Sequence, residues 1–180
     1  MKQVKKEEKV QWFEFGYPKK ASSSQFIPRL VLDDREKALV SFLTTEPMGV
    51  FRHFIGGRYH TCRVRNCYFC EIGNQPTWRG LFLVYDMKDK EVKILEVSRT
   101  VAQVIAELEC DFSKNLVQIK RIGTGAETQY TFTPIKGKVV KLSPEELKAY
   151  QDRLISQYEP DSYEDQKAVL KESSKTEEEE

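Results

Sequence analysis

The chain has 180 residues, of which 39 % are hydrophobic and 32 % charged, and its formal net charge is +1. That length and apolar content supply one core of ordinary size with appendages, and no apolar run approaches the roughly 20 residues of a membrane span, so a soluble, intracellular protein is expected. The small net charge hides a division: nine acids against three lysines give residues 159–180 a balance of −6, which leaves +7 on residues 1–158 and suits that body to a polyanionic partner. 

In chain order, residues 1–25 read as a flexible basic segment without a signal-peptide pattern, in which Trp12, Phe13, Phe15 and Tyr17 lie among lysines. Ala38 to Thr44 alternates weakly as a strand, with a helix from Asp33 to Leu43 as its rival. Met48 to Ile55, Gly56-Gly57 and Arg58 to Arg65 read as a β-hairpin, because two glycines supply the positive φ angles of a two-residue turn. Trp78 to Met87 and Glu91 to Val97 are two further strands separated by a polar turn. Ser98 caps a helix reaching Glu109, with Val101, Val104, Ile105 and Leu108 at helical spacing. A second hairpin joins Leu116–Ile122 to Thr128–Thr133, and Ser143-Pro144-Glu145-Glu146 opens an amphipathic helix over residues 143–158. Residues 159–180 are too acidic to bury and read as a disordered tail. The string as a whole is mainly β with α additions, and a small closed barrel of the OB type over residues 26–142 is expected, with a zinc knuckle at about 53–73 inside it.

The knuckle carries most of the chemistry. Cys62, Cys67 and Cys70 fall within nine positions and close on a Cys-x2-Cys pair, the donor types and spacing of a structural metal site. Unrelated thiols or a redox pair are the alternatives. Either His53 or His60 can be the fourth ligand: His60 is two residues from Cys62 on one strand, whereas His53 arrives across the hairpin and closes a longer loop, and His53 is preferred, with His60 the alternative. A two-residue turn that sets Ile55 opposite Arg58 also sets His53 opposite His60 and Phe51 opposite Cys62, so both histidines and the first cysteine share a face. The opposite face then mixes Arg52, Phe54, Tyr59, Thr61 and Arg63. Rings that stack on bases and cations that neutralise phosphates suit single strands, and the absence of any acid among the four arginines of Met48 to Cys70 favours the same partner. Lys120 on the second hairpin is a further candidate for such a groove. No spaced carboxylate set resembles a metal-dependent nuclease, so no enzymatic chemistry is expected. An RNA-binding or protein-recruiting zinc adaptor is the alternative to a DNA-binding protein.

The order His53, hairpin turn, Cys62, Cys67-x2-Cys70, then Leu81-Phe82-Leu83-Val84-Tyr85-Asp86, Val92 to Ser98 and Ile119 to Pro134 resembles the zinc-containing single-stranded DNA-binding proteins of tailed bacteriophages, and is similar in plan to the helix-destabilising proteins of T-even phages. The likeness spans about Leu39 to Pro134. It implies an OB-fold with a zinc subdomain, Zn2+ held by His53, Cys62, Cys67 and Cys70, and sequence-non-specific binding of single-stranded DNA in phage DNA replication, recombination and repair. It further implies the cytoplasm of a bacterial host, and replication or recombination proteins as partners of the acidic tail.

Overall fold

A computed structural model of the chain describes residues 26–177; the aromatic basic segment 1–25 and the final residues 178–180 lie outside the described residues. Seven strands and four helices follow one another as β1 (Lys37–Phe42), β2 (Met48–Ile55), β3 (Arg58–Thr61), α1 (Tyr68–Glu71), β4 (Thr77–Asp86), β5 (Glu91–Ser98), α2 (Arg99–Ala106), β6 (Asn115–Ile122), β7 (Gln129–Lys136), α3 (Pro144–Gln157) and α4 (Tyr163–Glu177). Where strand and helix compete at residues 33–44, the strand forms. A turn held by the Glu36 carboxylate on the Asp33 amide, with Arg35 at φ 65°, leaves no helical start. Gly56 and Gly57 both adopt positive φ, and the hairpin they close has Ile55 opposite Arg58 and His53 opposite His60, as the two-residue turn requires.

The strands form one antiparallel sheet in the order β3-β2-β4-β1-β6-β7, with β5 also paired to β4. β4 is its hub. One edge runs along β5 from Arg79 to Asp86, while the other is shared, Thr77–Leu81 pairing with β2 and Val84–Asp86 with β1. Leu81 to Val84 are therefore buried on both faces, which accounts for the unbroken apolar run in that strand. On one face Val40, Phe42, Phe82, Val84, Leu95, Val117 and Ile119 pack with Ala102 and Ile105 of α2. On the other, Leu81, Leu83, Val92 and Ile94 pack with Ile27, with Leu154 of α3 and with Tyr158, which caps the end of that helix.

The sheet does not close, which corrects the expected closed barrel. The outer edge of β5 is met at Ile94 by the chain entering the fold, with Leu30 N–H donating to Ile94 O and Ile94 N–H to Pro28 O, both at 2.8 Å. β7, at the other end, carries Pro134, a residue suited to an edge because it has no N–H to give. Both predicted caps are present: Ser98 accepts from Val101 N–H, and Ser143 and Glu146 form a reciprocal capping box. The first of these helices ends at Ala106, short of Glu109. Residues 163–177 are helical, so the expectation of a disordered tail beginning at 159 fails for that stretch. Among the described residues no helix is long and apolar enough to cross a membrane.

The registration of β2 on β4 depends on a tight contact. Gly49 and Gly80 are directly opposed, and a Cβ on either would lie 2.7 and 2.8 Å, respectively, from atoms of the Trp78 indole, over which Arg99 is placed at 5.6 Å. Gly80→Ala is expected to lower unfolding free energy by about 1–3 kcal/mol through overpacking, as read from urea denaturation followed by circular dichroism.

Candidate metal centre and the ribbon that carries it

β2 and β3 deliver His53 and Cys62 from one side, and the loop after β3 returns Cys67 and Cys70 on the single turn of α1. Positions three apart on a helical turn face the same way, which is why a Cys-x2-Cys pair converges. The ligand atoms of His53, Cys62, Cys67 and Cys70 all lie within 4.8 Å of one another and can hold a metal ion. Cys62 Sγ is 3.6 Å from Cys70 Sγ, and His53 Nε2 is 3.4 Å from Cys67 Sγ and 3.6 Å from Cys70 Sγ. Of the two candidate histidines, it is His53 that joins the thiols. His60 instead turns Nδ1 towards Asp161, 3.6 Å away.

The cluster has an outer layer that sequence reasoning missed. His53 is fully buried, and its Nδ1 lies 2.9 Å from Asn74 Oδ1, an acceptor that suits an Nδ1–H donor while Nε2 is directed at the sulfurs. Asn74 also donates to Phe54 O at 3.4 Å. Phe69, with no exposed surface, lies 5.4 Å from both imidazole rings and forms with Ile55, Cys62 and Cys67 a small core of its own. Gln166 of α4, also fully buried, accepts the Tyr68 N–H at 2.9 Å. Only the turn signal of Gly73, at φ 84°, hinted at Asn74, and nothing local to the cysteines points to Gln166.

Electrostatics separate the three thiols. Burial pushes Cys62 up to about 12, against the N–H that Val64 donates to its sulfur at 3.3 Å. Burial likewise raises Cys70, with the neighbouring Cys67 adding to the effect. Burial would raise Cys67 too, but the Arg63 and Cys70 backbone amides and the thiols of Cys62 and Cys70 outweigh it and bring Cys67 below an ordinary thiol. Val64 is held at φ 66°, a region that a β-branched residue avoids.

The other face of the ribbon is built differently. Phe54 and Tyr59 are opposed in the register, 56 % and 40 % exposed, with ring centroids 5.0 Å apart. Arg79, which sequence reasoning overlooked, reaches them from β4: its guanidinium is 5.6 Å from the Tyr59 ring and donates to the phenol oxygen at 3.4 Å. Arg52 belongs to this face but is committed inward. It gives two 2.9 Å bonds to the Glu96 carboxylate and one to Tyr59 O, and its guanidinium lies 5.1 Å from the Tyr59 ring and 5.2 Å from that of Tyr158. Glu96 also receives Arg29 and the Tyr158 hydroxyl, at 3.4 and 3.3 Å. Arg63 is half-buried on the knuckle loop. Lys120 is not brought to the ribbon: it sits on β6 opposite Lys37 and Thr131, with β4 and β1 between β6 and β2.

Compared with models of protein families, with curated proteins and with solved structures, the chain matches none.

Because Cys62 and Cys70 are raised, the metal-free cluster keeps those protons at neutral pH, and an ion that binds must expel them. Addition of a divalent metal in weak buffer should release more than one proton per chain, and affinity should fall as pH is lowered. Without metal the sign reverses. A raised thiol stabilises the fold below its ordinary value of 9.0, and that contribution is lost as pH rises through about 12. Titration with a pH indicator checks the proton count; metal uptake with no proton released would contradict the assignment of these thiols as ligands.

Proposed function

We propose that the protein binds single-stranded DNA without sequence preference, on the Phe54–Tyr59 face of a ribbon held by a structural Zn2+ ion. The observation that carries this reading is the pairing of two exposed rings with Arg79 beside them, on a face where the Glu96 carboxylate is already occupied by Arg52, Arg29 and Tyr158. Bases can stack on Phe54 and Tyr59, phosphates can pair with Arg79 and Arg63, and little negative charge opposes them. Arg52 contributes by holding Tyr59 in place. An antiparallel sheet that presents one end to solvent fits a partly open OB-type platform, and its role would be in phage DNA replication, recombination and repair, as the sequence resemblance implies.

Zinc suits the ligand set. Zn–S bonds of about 2.3 Å and Zn–N bonds of about 2.0–2.1 Å in a tetrahedron place sulfurs about 3.8 Å apart and sulfur and nitrogen about 3.6 Å apart. The 3.6 Å S···S separation and the 3.4 and 3.6 Å S···N separations are close to those edges. The costly conformation of Val64, in the loop between the first two thiols, is what a bound ion would offset. Four protein ligands leave no position for substrate, so the ion stiffens the ribbon and performs no chemistry.

Binding of labelled oligothymidine, followed by fluorescence anisotropy, tests the interface. Phe54→Ala and Tyr59→Ala should each weaken affinity by about 5- to 150-fold, the equivalent of roughly 1–3 kcal/mol per stacked base, while metal content is unchanged. Affinity should fall with salt at a log-log slope of about 0.7 per neutralised phosphate. Equal affinity for duplex and single strand, or indifference to both substitutions, would defeat the reading.

A further inference from the structure

The C-terminal helix is built into the metal centre. α1 has only four residues, and its N-cap, Cys67, makes no side-chain capping bond. The amide of Tyr68, at the start of that turn, is met instead by Gln166, 98 residues later. Around this bond, Val169 and Leu170 pack against the Ile55, Cys62, Cys67 and Phe69 core, and Tyr163 stacks edge-on against Tyr68 at 5.5 Å and bonds the Glu71 carboxylate. Lys167 reaches over both rings, 5.7 Å from Tyr68 and 4.6 Å from Tyr163. Asp161, just ahead of the helix, faces His60. Two of the four ligands, Cys67 and Cys70, thus stand on a turn that α4 caps, covers and braces, and the surface α4 rests on exists only while that turn is in place.

We propose that metal occupancy and docking of α4 are thermodynamically linked. The ion holds the surface that receives the helix, and Gln166, as a positioning residue, holds the turn that carries two of the ligands. The proposal rests on the Cys3His site being a metal site; it does not depend on the nucleic-acid partner. Linkage is reciprocal: whatever factor the ion contributes to docking, docking returns to ion affinity. Loss of the ion frees the segment beginning near Asp161, and release of that segment hastens loss of the ion.

The test uses the full chain, with zinc content measured on every sample. Hydrogen exchange is compared between zinc-loaded and chelator-stripped protein. Stripping should raise exchange in residues 163–170 by about tenfold or more, while residues 144–157 of α3 keep their protection. In the other direction, Gln166→Ala should speed zinc transfer to a colorimetric chelator by about 10- to 100-fold, the range found when groups that orient metal ligands are removed. Gln166→Glu, which keeps an acceptor for the Tyr68 amide, should recover part of that loss. Far-UV circular dichroism selects conditions in which each variant is folded. If zinc is bound but α4 exchanges equally with and without it, or Gln166→Ala releases zinc at the wild-type rate, the linkage is overturned and the metal site stands. A chain that contains no zinc and takes up none overturns both.

Discussion

Register in the first hairpin governs the functional architecture. Two glycines at positive φ, and no further residue, close β2 on β3, so alternate side chains are committed to opposite sides. His53 goes to the side of the cysteines, and Phe54 and Tyr59 go to the other. A shift of one residue would exchange them, exposing an imidazole and burying the rings against the thiols. Ligand convergence, the aromatic pair and the place of the knuckle against the sheet all descend from that turn.

A second commitment ties the ribbon to the body. The Arg52 guanidinium lies between the rings of Tyr59 and Tyr158 and on the carboxylate of Glu96, so the hairpin, β5 and the end of α3 meet at one ion pair with little solvent access. Burial, and then the charge of Glu96, keeps the Tyr158 phenol well above its ordinary value, so it remains a donor. The carboxylate is thereby withdrawn from the aromatic face, and Tyr59 gains a fixed edge. The same arginine that sequence alone places in a nucleic-acid groove serves, in the fold, to set the ring beside it.

What was legible in the sequence follows from how local its cause is. Turn chemistry, period-two alternation and capping boxes act over a few residues, and the hairpin, the strands and both capped helices can be read from them. The preference for His53 over His60 could be drawn from the sequence only as a preference, because both histidines share a face; the return of α1 is what groups His53 with the thiols. Arg79 was hidden because pairing between β2 and β4 spans the knuckle and has no signature in either strand, and Asn74 because its bonds to His53 and Phe54 reach 20 residues or more back along the chain. Lys120 failed as a member of the ribbon for the converse reason: its face is readable, but the number of intervening strands is not. The tail misled through its composition. Its charge is real, yet Gln166, Val169 and Leu170 recur on one helical side, sparse enough to be masked by the acids around them.

The course of Pro28 to Leu30 along β5 bears on solubility. β5 is rich in Val, Ile and Leu, and an open row of amides and carbonyls on such a strand would template pairing between molecules. The chain occupies the middle of that row, at Ile94, with its own backbone before the first strand of the sheet begins. A short stretch of main chain thus blocks the centre of this strand edge against a pairing partner, and Ile27, hydrogen-bonded through its backbone to Gln157, anchors that stretch to the end of α3.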